Sequence, residues 1–184
     1  MRFFAALSGV DTDLVRRARH LLTKRWGPLD LETEPRRTPD VGAGSTPAGE
    51  PVFRSLLGFA EPQPVGRLVE LAIETAGVEQ QISEDCLLPG PGGEPPVNAI
   101  SGYVDAFKVV LGQLADGASR VALGAGVFGE IVLQRSAGGW KPLPWSSSDW
   151  SAPESLRFLD ELHSRLLRAA DGVAAAFPDD AGTP

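Results

Sequence analysis

The sequence predicts a single α+β domain, a mainly antiparallel sheet with about three helices packed on one of its faces. Three observations lead to this class. The N-terminal third alternates strand, helix and strand patterns, the stretch from Val97 to Asp149 has strand-like chemistry with glycine turns, and an amphipathic helix follows it. A ferredoxin-like arrangement of the first part fits this pattern. The domain is expected to cover residues 1–177, with a disordered tail at 178–184.

The N-terminal β-α-β pattern is read from three consecutive segments. Phe3–Leu7 is short, apolar and aromatic, as in a buried strand. Helical spacing follows from about Asp13 to Trp26, and Gly27 with Pro28 ends that helix. Residues 29–34 alternate with period two, which predicts a strand with one solvated face. The predicted inward face of the helix consists of Leu14, Ala18, Leu21 and Leu22.

The middle of the chain is interrupted by two segments rich in proline and glycine. Residues 35–51 are predicted to be a mobile linker and residues 89–96 a surface loop. Between them we expect a strand at 52–59 and a helix at about 65–82, in which Gly77 weakens the later turns. The predicted apolar stripe of this helix consists of Val65, Leu68, Val69, Ala72 and Ala76.

The stretch that follows is predicted to be mostly β-structure. Residues 104–114 favour one strand. Strands at 120–123 and 127–134 are separated by a Gly124-Ala125-Gly126 hairpin turn, and a second turn at 136–139 leads into a strand at 140–145. These segments predict three sequential antiparallel strands.

The last helix has the clearest pattern. Ser151 and Glu154 have the spacing of a capping box around Pro153, and Gly172 is expected to end the helix. Glu161 and Arg165 are spaced for an i,i+4 ion pair on its outer side. The predicted inward residues are Leu156, Leu159, Leu162 and Leu166.

Composition limits the possible partners. The 184 residues carry a formal net charge of −7, which disfavours nonspecific nucleic-acid binding. The basic residues of the first helix are expected to form a solvated face; they are Arg16, Arg17, Arg19, Lys24 and Arg25. Cys86 is the single cysteine, so no intramolecular disulfide can form, which fits a cytoplasmic protein. No apolar run is long enough to span a bilayer, and Phe3–Leu7 is shorter than the core of a secretion signal.

The sequence carries no motif for a metal, a nucleotide phosphate loop or a dinucleotide cofactor. His20 and His163 lie on separate predicted helices and are expected to be surface residues. Cys86 follows Glu84 and Asp85, whose charges oppose thiolate formation, and no G-x-S-x-G elbow is present. The sequence therefore leaves the cofactor and the oligomeric state unknown.

A family resemblance rests on motifs that keep one register from Val97 to Asp149. They are V-N at 97–98, G-Y at 102–103, a Lys-led strand at 108, R-x-x-L-G-x-G at 120–126 and P-L-P-W at 142–145. On these motifs the chain resembles the bacterial domain of unknown function 4416 family, as a divergent member. The polar residues that match the family pattern are Asn98, Tyr103, Lys108, Arg120, Glu130, Trp145 and Asp149.

Departures from the family pattern concern residues that could carry chemistry. A family segment with two tyrosines and a glutamate is replaced by the linker at 35–51. Ile100-Ser101 stands where the family has Asp-Pro, and Ser119 stands where it has histidine. The resemblance therefore implies a member that has lost any activity the family has.

Glu130 stands in an otherwise apolar strand and needs a partner, which Arg120 on the adjacent strand can supply. The pair is either a salt bridge on the solvent face or an Arg clamp for an anionic ligand, with Trp145 as a stacking wall. Asp149 can also simply stabilise the start of the last helix.

Three functions follow from this set. The leading one is a non-catalytic or activity-depleted protein that binds a small anionic ligand. The first alternative is an enzyme that acts on a phosphate- or carboxylate-bearing metabolite or nucleotide and uses Lys108, Arg120 and Glu130, which must then share one pocket. The second is a protein-interaction module with the aromatic segment from Trp140 to Trp150 as its surface, which requires Trp140 or Trp150 to be exposed.

Overall fold

The computed structural model describes residues 1–38, 52–86 and 95–176, with side chains up to residue 169. Its strands are β1 (Arg2–Gly9), β2 (Leu29–Glu32), β3 (Arg36–Thr38), β4 (Val52–Phe59), β5 (Val97–Val104), β6 (Lys108–Gln113), β7 (Val121–Gly124), β8 (Val127–Ser136) and β9 (Gly139–Pro142). Its helices are α1 (Thr12–Trp26), α2 (Arg67–Cys86), α3 (Ser148–Ser151) and α4 (Pro153–Ala176).

All described strands belong to one antiparallel sheet with the order β2-β4-β1-β5-β6-β8-β7. The short strand β3 pairs with β4, and β9 pairs with β8. The predicted α+β class and the N-terminal β-α-β unit are therefore confirmed. Within the sheet, β1, β2, β4 and β5 have the neighbour relations of a ferredoxin-like fold, with α1 and α2 as the two crossover helices.

The helices pack on both faces of the sheet, so the expectation of a single covered face was wrong. Strand β1 shows this directly. Phe3, Ala5 and Leu7 lie in one core with α1 and α2, whereas Phe4 and Ala6 lie in a second core with α4. We call these sides the first face and the second face. A strand that is apolar in consecutive positions is typical of burial on both sides.

Phe4 anchors the second face. Its ring packs edge-on against Trp150 at 5.8 Å and against Phe158 at 6.4 Å between ring centroids. Both partners come from the C-terminal helical segment, which covers the ferredoxin-like part of the sheet from the side opposite to α1 and α2. Full burial of a large apolar side chain contributes about 1.5–3 kcal/mol, so Trp150 fixes α3 and Phe158 fixes α4 on the sheet.

Helix α1 begins and ends close to the predicted positions. The Asp11 side chain caps it by accepting a hydrogen bond from the Asp13 amide at 2.8 Å, and Gly27 ends it with φ of 96°. Its buried residues are Val15, Ala18, Leu22 and Trp26, while Leu14 and Leu21 are half-buried. The predicted and the observed sets of inward residues are both compatible with helical spacing. Packing against β1 selects the set that includes Trp26.

Helix α2 begins later and ends later than expected. Val65 precedes it and is 49% exposed, so it is not part of the apolar stripe. Leu68 and Ala72 are buried as predicted, whereas Val69 and Ala76 are half-buried. The remaining buried residues of the helix are Leu71, Thr75, Val78 and Ile82.

Two predicted connections differ from the observed chain path. Residues 36–38 of the predicted linker form β3, because their main chain pairs with β4, and residues 39–51 lie outside the described residues. Residues 104–114 do not form one strand. Asp105 accepts hydrogen bonds from the amides of Phe107 and Lys108 at 2.7 and 2.8 Å, and this turn separates β5 from β6.

The predicted hairpins are confirmed. Ala125 and Gly126 form the two-residue turn between β7 and β8, with φ of 52° and 74°. Ser136 pairs with Gly139 across the β8–β9 turn, but β9 ends at Pro142, earlier than predicted. Of the loop predicted at 89–96, residues 89–94 lie outside the described residues, as does the predicted tail.

The cap and the end of the last helix were predicted incorrectly, although the helix does begin at Pro153. Ser151 belongs to the separate short helix α3, and its hydroxyl donates to the Ser148 carbonyl, so it does not cap α4. Glu154 pairs instead with Arg36, and α4 continues through Gly172 to Ala176. Leu159 and Leu162 are buried as predicted, whereas Leu156 and Leu166 are half-buried, and the Glu161–Arg165 pair is present at 2.8 Å.

Candidate ligand-binding site

Glu130 and Arg120 are adjacent in space, as the hairpin predicted. Arg120 Nε lies 3.4 Å from Glu130 Oε2, and the Ser119 hydroxyl donates to Glu130 Oε1. Arg120 Nη1 also donates to the Ala115 carbonyl at 2.7 Å. Glu130 is only 8% exposed and Arg120 is half-buried, so the pair is largely shielded rather than placed on a solvent face. Both carboxylate oxygens of Glu130 are therefore engaged inside the protein.

Lys108 lies on the other face of the sheet. In strand β6, Lys108 lies two residues before Val110 and so points to the same face, and Val110 packs in the first core. Glu130 is the cross-strand partner of Leu111, which packs in the second core. Lys108 Nζ forms an ion pair with Asp105 at 2.6 Å. Lys108, Arg120 and Glu130 therefore do not converge in one pocket, which the enzyme alternative requires.

Tyr103 and Asp105 surround Lys108 on that face. Burial raises the pKa of Tyr103, whose ring packs edge-on against Phe3 in the first core. Burial also acts to raise the pKa of Asp105, but the hydrogen bonds from Lys108 and from two backbone amides outweigh it and the pKa is lowered. Asp105 and Lys108 therefore stabilise the turn that connects β5 and β6.

Trp145 covers the outer edge of β8. Its indole Nε1 donates to the Ile131 carbonyl at 2.8 Å, and the amide of Leu143 donates to the Val132 carbonyl at 3.2 Å. The P-L-P-W segment thus satisfies backbone acceptors on the part of β8 that lies between its pairings with β7 and β9. Trp145 is 50% exposed, but Trp140 and Trp150 are 8% and 4% exposed, so the exposure that the interaction alternative requires is not observed.

Asp149 forms an ion pair with Arg54, a residue that the sequence reasoning missed. Arg54 Nη1 lies 2.9 Å from Asp149 Oδ2, and the Arg54 guanidinium stacks 4.9 Å from the centre of the Trp150 ring. Burial lowers the pKa of Arg54, partly offset by the charges of Asp149 and Glu154. A lone arginine within the apolar segment V-F-R-S-L-L-G-F was the signal in the sequence.

Asn98 also lies on the second face, where it stands opposite Ser8 across β1 and β5. Ser8 in turn stands opposite Arg54 across β1 and β4, so Asn98 is two strands away from Arg54. Glu130 lies two further strands beyond β5, in a different row of the sheet. The seven predicted site residues are thus distributed over both faces and one edge, and they do not surround one cavity.

A cleft of about 340 Å³ opens between the end of α1 and the start of α2. Its floor is apolar and aromatic and consists of Phe3, Trp26, Phe59 and Leu71. Its walls carry three cations, Lys24, Arg25 and Arg67, and its rim includes Gly27, Glu61 and Gln63. Concave sites with an apolar lining and a few polar groups are the usual form of a small-molecule site.

Glu74 organises one wall of this cleft. Its Oε2 accepts a hydrogen bond from Trp26 Nε1 at 2.6 Å, and its Oε1 lies 3.5 Å from Arg67 Nη2. Arg67 also pairs with Glu70, so its charge is compensated by two carboxylates. Trp26 is held against Phe59 with a centroid distance of 4.8 Å, which fixes the aromatic floor.

The charges of Arg25 and Lys24 are not compensated in this way. Arg25 donates to the main-chain carbonyl of Glu74 at 3.2 Å and to the side-chain oxygen of Gln81 at 3.1 Å, which are both neutral acceptors. Lys24 forms no ion pair within the described part of the chain. Gly77 lies beside this arrangement, and a Cβ atom there would stand 3.5 Å from Arg25 Nη1, an ordinary contact distance.

The other basic residues of α1 have acidic partners. Arg16 pairs with Asp13, Arg17 with Asp85 and Arg19 with Glu32. The prediction of a solvated helix face is confirmed for Arg16, Arg17, Lys24 and Arg25, which are exposed, while Arg19 is half-buried. Lys24 and Arg25 differ from the three arginines because they lie in the last turn and line the cleft.

Glu79 on α2 is a second residue that the sequence reasoning passed over. Its Oε1 accepts a hydrogen bond from the Ala99 amide at 2.5 Å. Strand β6 pairs with β5 only from Ser101 onward, so this amide has no strand partner on that side. Burial raises the pKa of Glu79 to about 7, and the bond from Ala99 opposes the shift only partly.

The histidines and the cysteine lie apart from one another. His20 is exposed as predicted, but His163 is only 7% exposed, and its ring packs edge-on against Trp140 with Nε2 3.3 Å from the Ala106 carbonyl. The expectation that His163 is a surface residue was wrong, because α4 lays it on the second face. Within the described ranges, no three His, Cys, Asp or Glu side chains are placed to hold a metal ion.

Comparison with known proteins identifies the family. The family model for domain of unknown function 4416 (DUF4416) matches residues 1–165 of the 184. The chain belongs to the DUF4416 family. The match to the DUF4416 model includes every element from β1 to α3, and therefore both walls of the α1–α2 cleft.

Other comparisons give no further relatives for this DUF4416 member. No curated protein and no solved structure matches the chain. Among the helices of the described residues, none combines the length and the apolar character that crossing a bilayer demands.

Proposed function

We propose that this protein binds a small anionic molecule in the cleft between α1 and α2. The observation that carries this proposal is the pair of cations, Lys24 and Arg25, that line the cleft without a carboxylate partner among the described residues. The chain as a whole is acidic, with a net charge of −7, so an uncompensated positive wall is a local exception. An anionic group would supply the missing counter-charge.

The shape of the cleft supports a ligand rather than a bare ion. Its volume of about 340 Å³ falls in the range of small-molecule sites, and its floor presents Trp26 and Phe59. The helix macrodipole also favours cations in the last turn of α1, by about 0.3–1 kcal/mol each. The macrodipole explains why Lys24 and Arg25 are tolerated in the last turn. It does not explain why apolar side chains line the cleft beside them.

Binding can be tested by thermal shift and calorimetry with a panel of carboxylate- and phosphate-bearing metabolites, each paired with a neutral analogue. We expect at least one anion to stabilise the protein and its neutral analogue not to. A ligand at about a hundred times its dissociation constant stabilises by about 2.7 kcal/mol. Lys24→Ala should weaken binding about fivefold, as expected for a partly exposed charge contact.

The matched control is Lys141→Ala, which removes an exposed lysine of β9 that forms no ion pair in the described part of the chain. This variant should bind as tightly as wild type. Equal losses in both lysine variants would show a nonspecific charge effect and overturn the assignment of the cleft. A loss in Arg120→Ala, with Lys24→Ala unchanged, would instead place the anion at the Arg120–Glu130 pair.

The cellular location belongs to the same proposal. We expect a bacterial protein, as the family resemblance implies, and a cytoplasmic one without nucleic-acid partners, since the chain has one cysteine and a negative net charge. Cell fractionation with periplasmic and membrane markers tests this location. Recovery of the protein in a membrane or periplasmic fraction would contradict it.

A further inference from the structure

Glu61 lines the same cleft as Lys24, Arg25 and Arg67, but no ion pair joins it to any of them. Opposite charges attract across a cleft of this size. The cleft therefore combines an exposed carboxylate with two exposed cations, Lys24 and Arg25, that have no carboxylate partner among the described residues.

The backbone around Glu61 is anchored. The Ala60 amide donates to the Pro28 carbonyl at 2.9 Å, and the Ala60 carbonyl accepts from Arg2 Nη1 at 2.8 Å. On the other side of Glu61, the Gln63 amide donates to the Met1 carbonyl at 3.3 Å. Arg2 is itself only 5% exposed. The position of Glu61 is thus fixed by the fold rather than left to a free loop.

A simple anion would fit this arrangement poorly. Its charge would be attracted to Lys24 but repelled by Glu61 in the same cleft, and Glu61 would gain no partner. A ligand that carries an ammonium group as well as an anionic group would satisfy both sides. Its apolar part would then lie against Trp26, the least buried of the apolar residues that line the cleft.

We infer that the ligand is zwitterionic, an α-amino acid with an apolar or aromatic side chain, and that Glu61 recognises its ammonium group. This inference rests on the proposed function, because it assigns the anionic group of the ligand, a carboxylate, to the wall formed by Lys24 and Arg25. Glu61 then determines specificity, since it separates amino acids from plain carboxylates of the same shape.

Matched pairs of compounds test the inference by calorimetry on the full chain. They are phenylalanine with 3-phenylpropanoate, leucine with 4-methylpentanoate and tryptophan with 3-indolepropanoate. In each pair the two compounds differ only in the ammonium group. We expect wild type to bind at least one amino acid about fivefold more tightly than its partner, as for a partly exposed charge pair.

Glu61→Gln should remove that preference and leave the affinity for the plain carboxylate unchanged or higher. Glu84→Gln, an exposed acid near the other end of α2, is the matched control and should keep the preference. Lys24→Ala should weaken both members of a pair. Thermal melts of each variant without ligand verify that it is folded.

The outcomes separate the two proposals. If wild type binds the amino acid and the plain carboxylate equally, or if Glu61→Gln keeps the preference, the zwitterion inference is overturned and the anion-binding function stands. If no carboxylate of the six binds and no phosphate compound binds, both proposals fail. Binding of phosphate compounds alone overturns the amino-acid inference only.

Discussion

The ring of Phe4 on β1 fills the space beside Gly102 on β5 in which a Cβ atom would stand. The two residues are direct cross-strand partners, and a Cβ at position 102 would meet Phe4 Cζ and come within 2.9 Å of the Val110 carbonyl. Glycine at 102 therefore lets Phe4 lie flat on the sheet and reach Trp150 and Phe158.

Gly102→Ala should destabilise the fold by about 1–3 kcal/mol, because the added methyl group overpacks the second core. The free energy of unfolding in urea measures this loss. Gly138→Ala is the control, since nothing lies within 4 Å of a Cβ atom at that turn position. Equal effects of the two substitutions would show that the contact with Phe4 is unimportant.

Glu79 should make stability depend on pH near neutrality. Its pKa is about 7 in the folded protein and near 4.5 when unfolded, so the folded state holds the proton more tightly. The stabilising contribution is full below about pH 4.5 and is lost as the pH rises through 7, by up to about 3 kcal/mol. Glu79→Gln keeps an acceptor for the Ala99 amide and should remove this loss.

The measurement is the free energy of unfolding of wild type and Glu79→Gln between pH 5 and pH 8.5. The free energy of unfolding of Glu79→Gln should increase relative to that of wild type as the pH rises. Glu84→Gln on the same helix is exposed and should follow wild type across the range. A constant difference between wild type and Glu79→Gln would rule out a titrating group at this site.

Gly77 should tolerate alanine and benefit from it. A Cβ atom there would lie at an ordinary contact distance of 3.5 Å from Arg25 Nη1, and alanine is the better helix former by about 1 kcal/mol. Gly77→Ala should therefore raise the urea midpoint. Gly77→Leu should lower it, because the larger side chain displaces Arg25 from Glu74 and Gln81. Destabilisation by alanine would mean that Arg25 packs more closely on α2 than a Cβ distance of 3.5 Å allows.

Arg54 and Asp149 should be energetically coupled. Arg54 is 13% exposed and Asp149 is 29% exposed, so the pair is largely shielded from solvent. A double-mutant cycle with Arg54→Met and Asp149→Asn should give a coupling energy of about 1–2 kcal/mol. A coupling below about 0.5 kcal/mol would show that α3 is held by the packing of Trp150 alone.

Sequence reasoning was most successful where the controlling contacts are local. The strand at 52–59, the glycine stop of α1 and the hairpin turn at 124–126 depend on residues within a few positions of one another. Side-chain period, glycine torsion angles and backbone capping act at that range. The Arg120–Glu130 pair was predicted for the same reason, because one hairpin brings both residues together.

The candidate site was not predicted, because its parts are far apart in the chain. Lys24 to Gly27 end one helix, Phe59 to Gln63 follow a strand, and Arg67 with Leu71 begins another helix. Their proximity comes from the crossover of α1 and α2 on one face of the sheet. The seven predicted site residues come from one continuous stretch, yet they do not meet. Alternate positions of a strand point to opposite faces of the sheet.

By itself the sequence determined the fold class, the family and the positions of most helices and strands, because these follow from periodicity, turn chemistry and matching motifs. Only the tertiary structure decided which faces are covered. It placed α4 on the second face, gave the Ala99 amide its partner in Glu79, and brought Lys24 and Glu61 to one cleft, where neither forms an ion pair within the described part of the chain. Such features depend on packing between distant segments, where burial and charge are set by neighbours that no local pattern specifies.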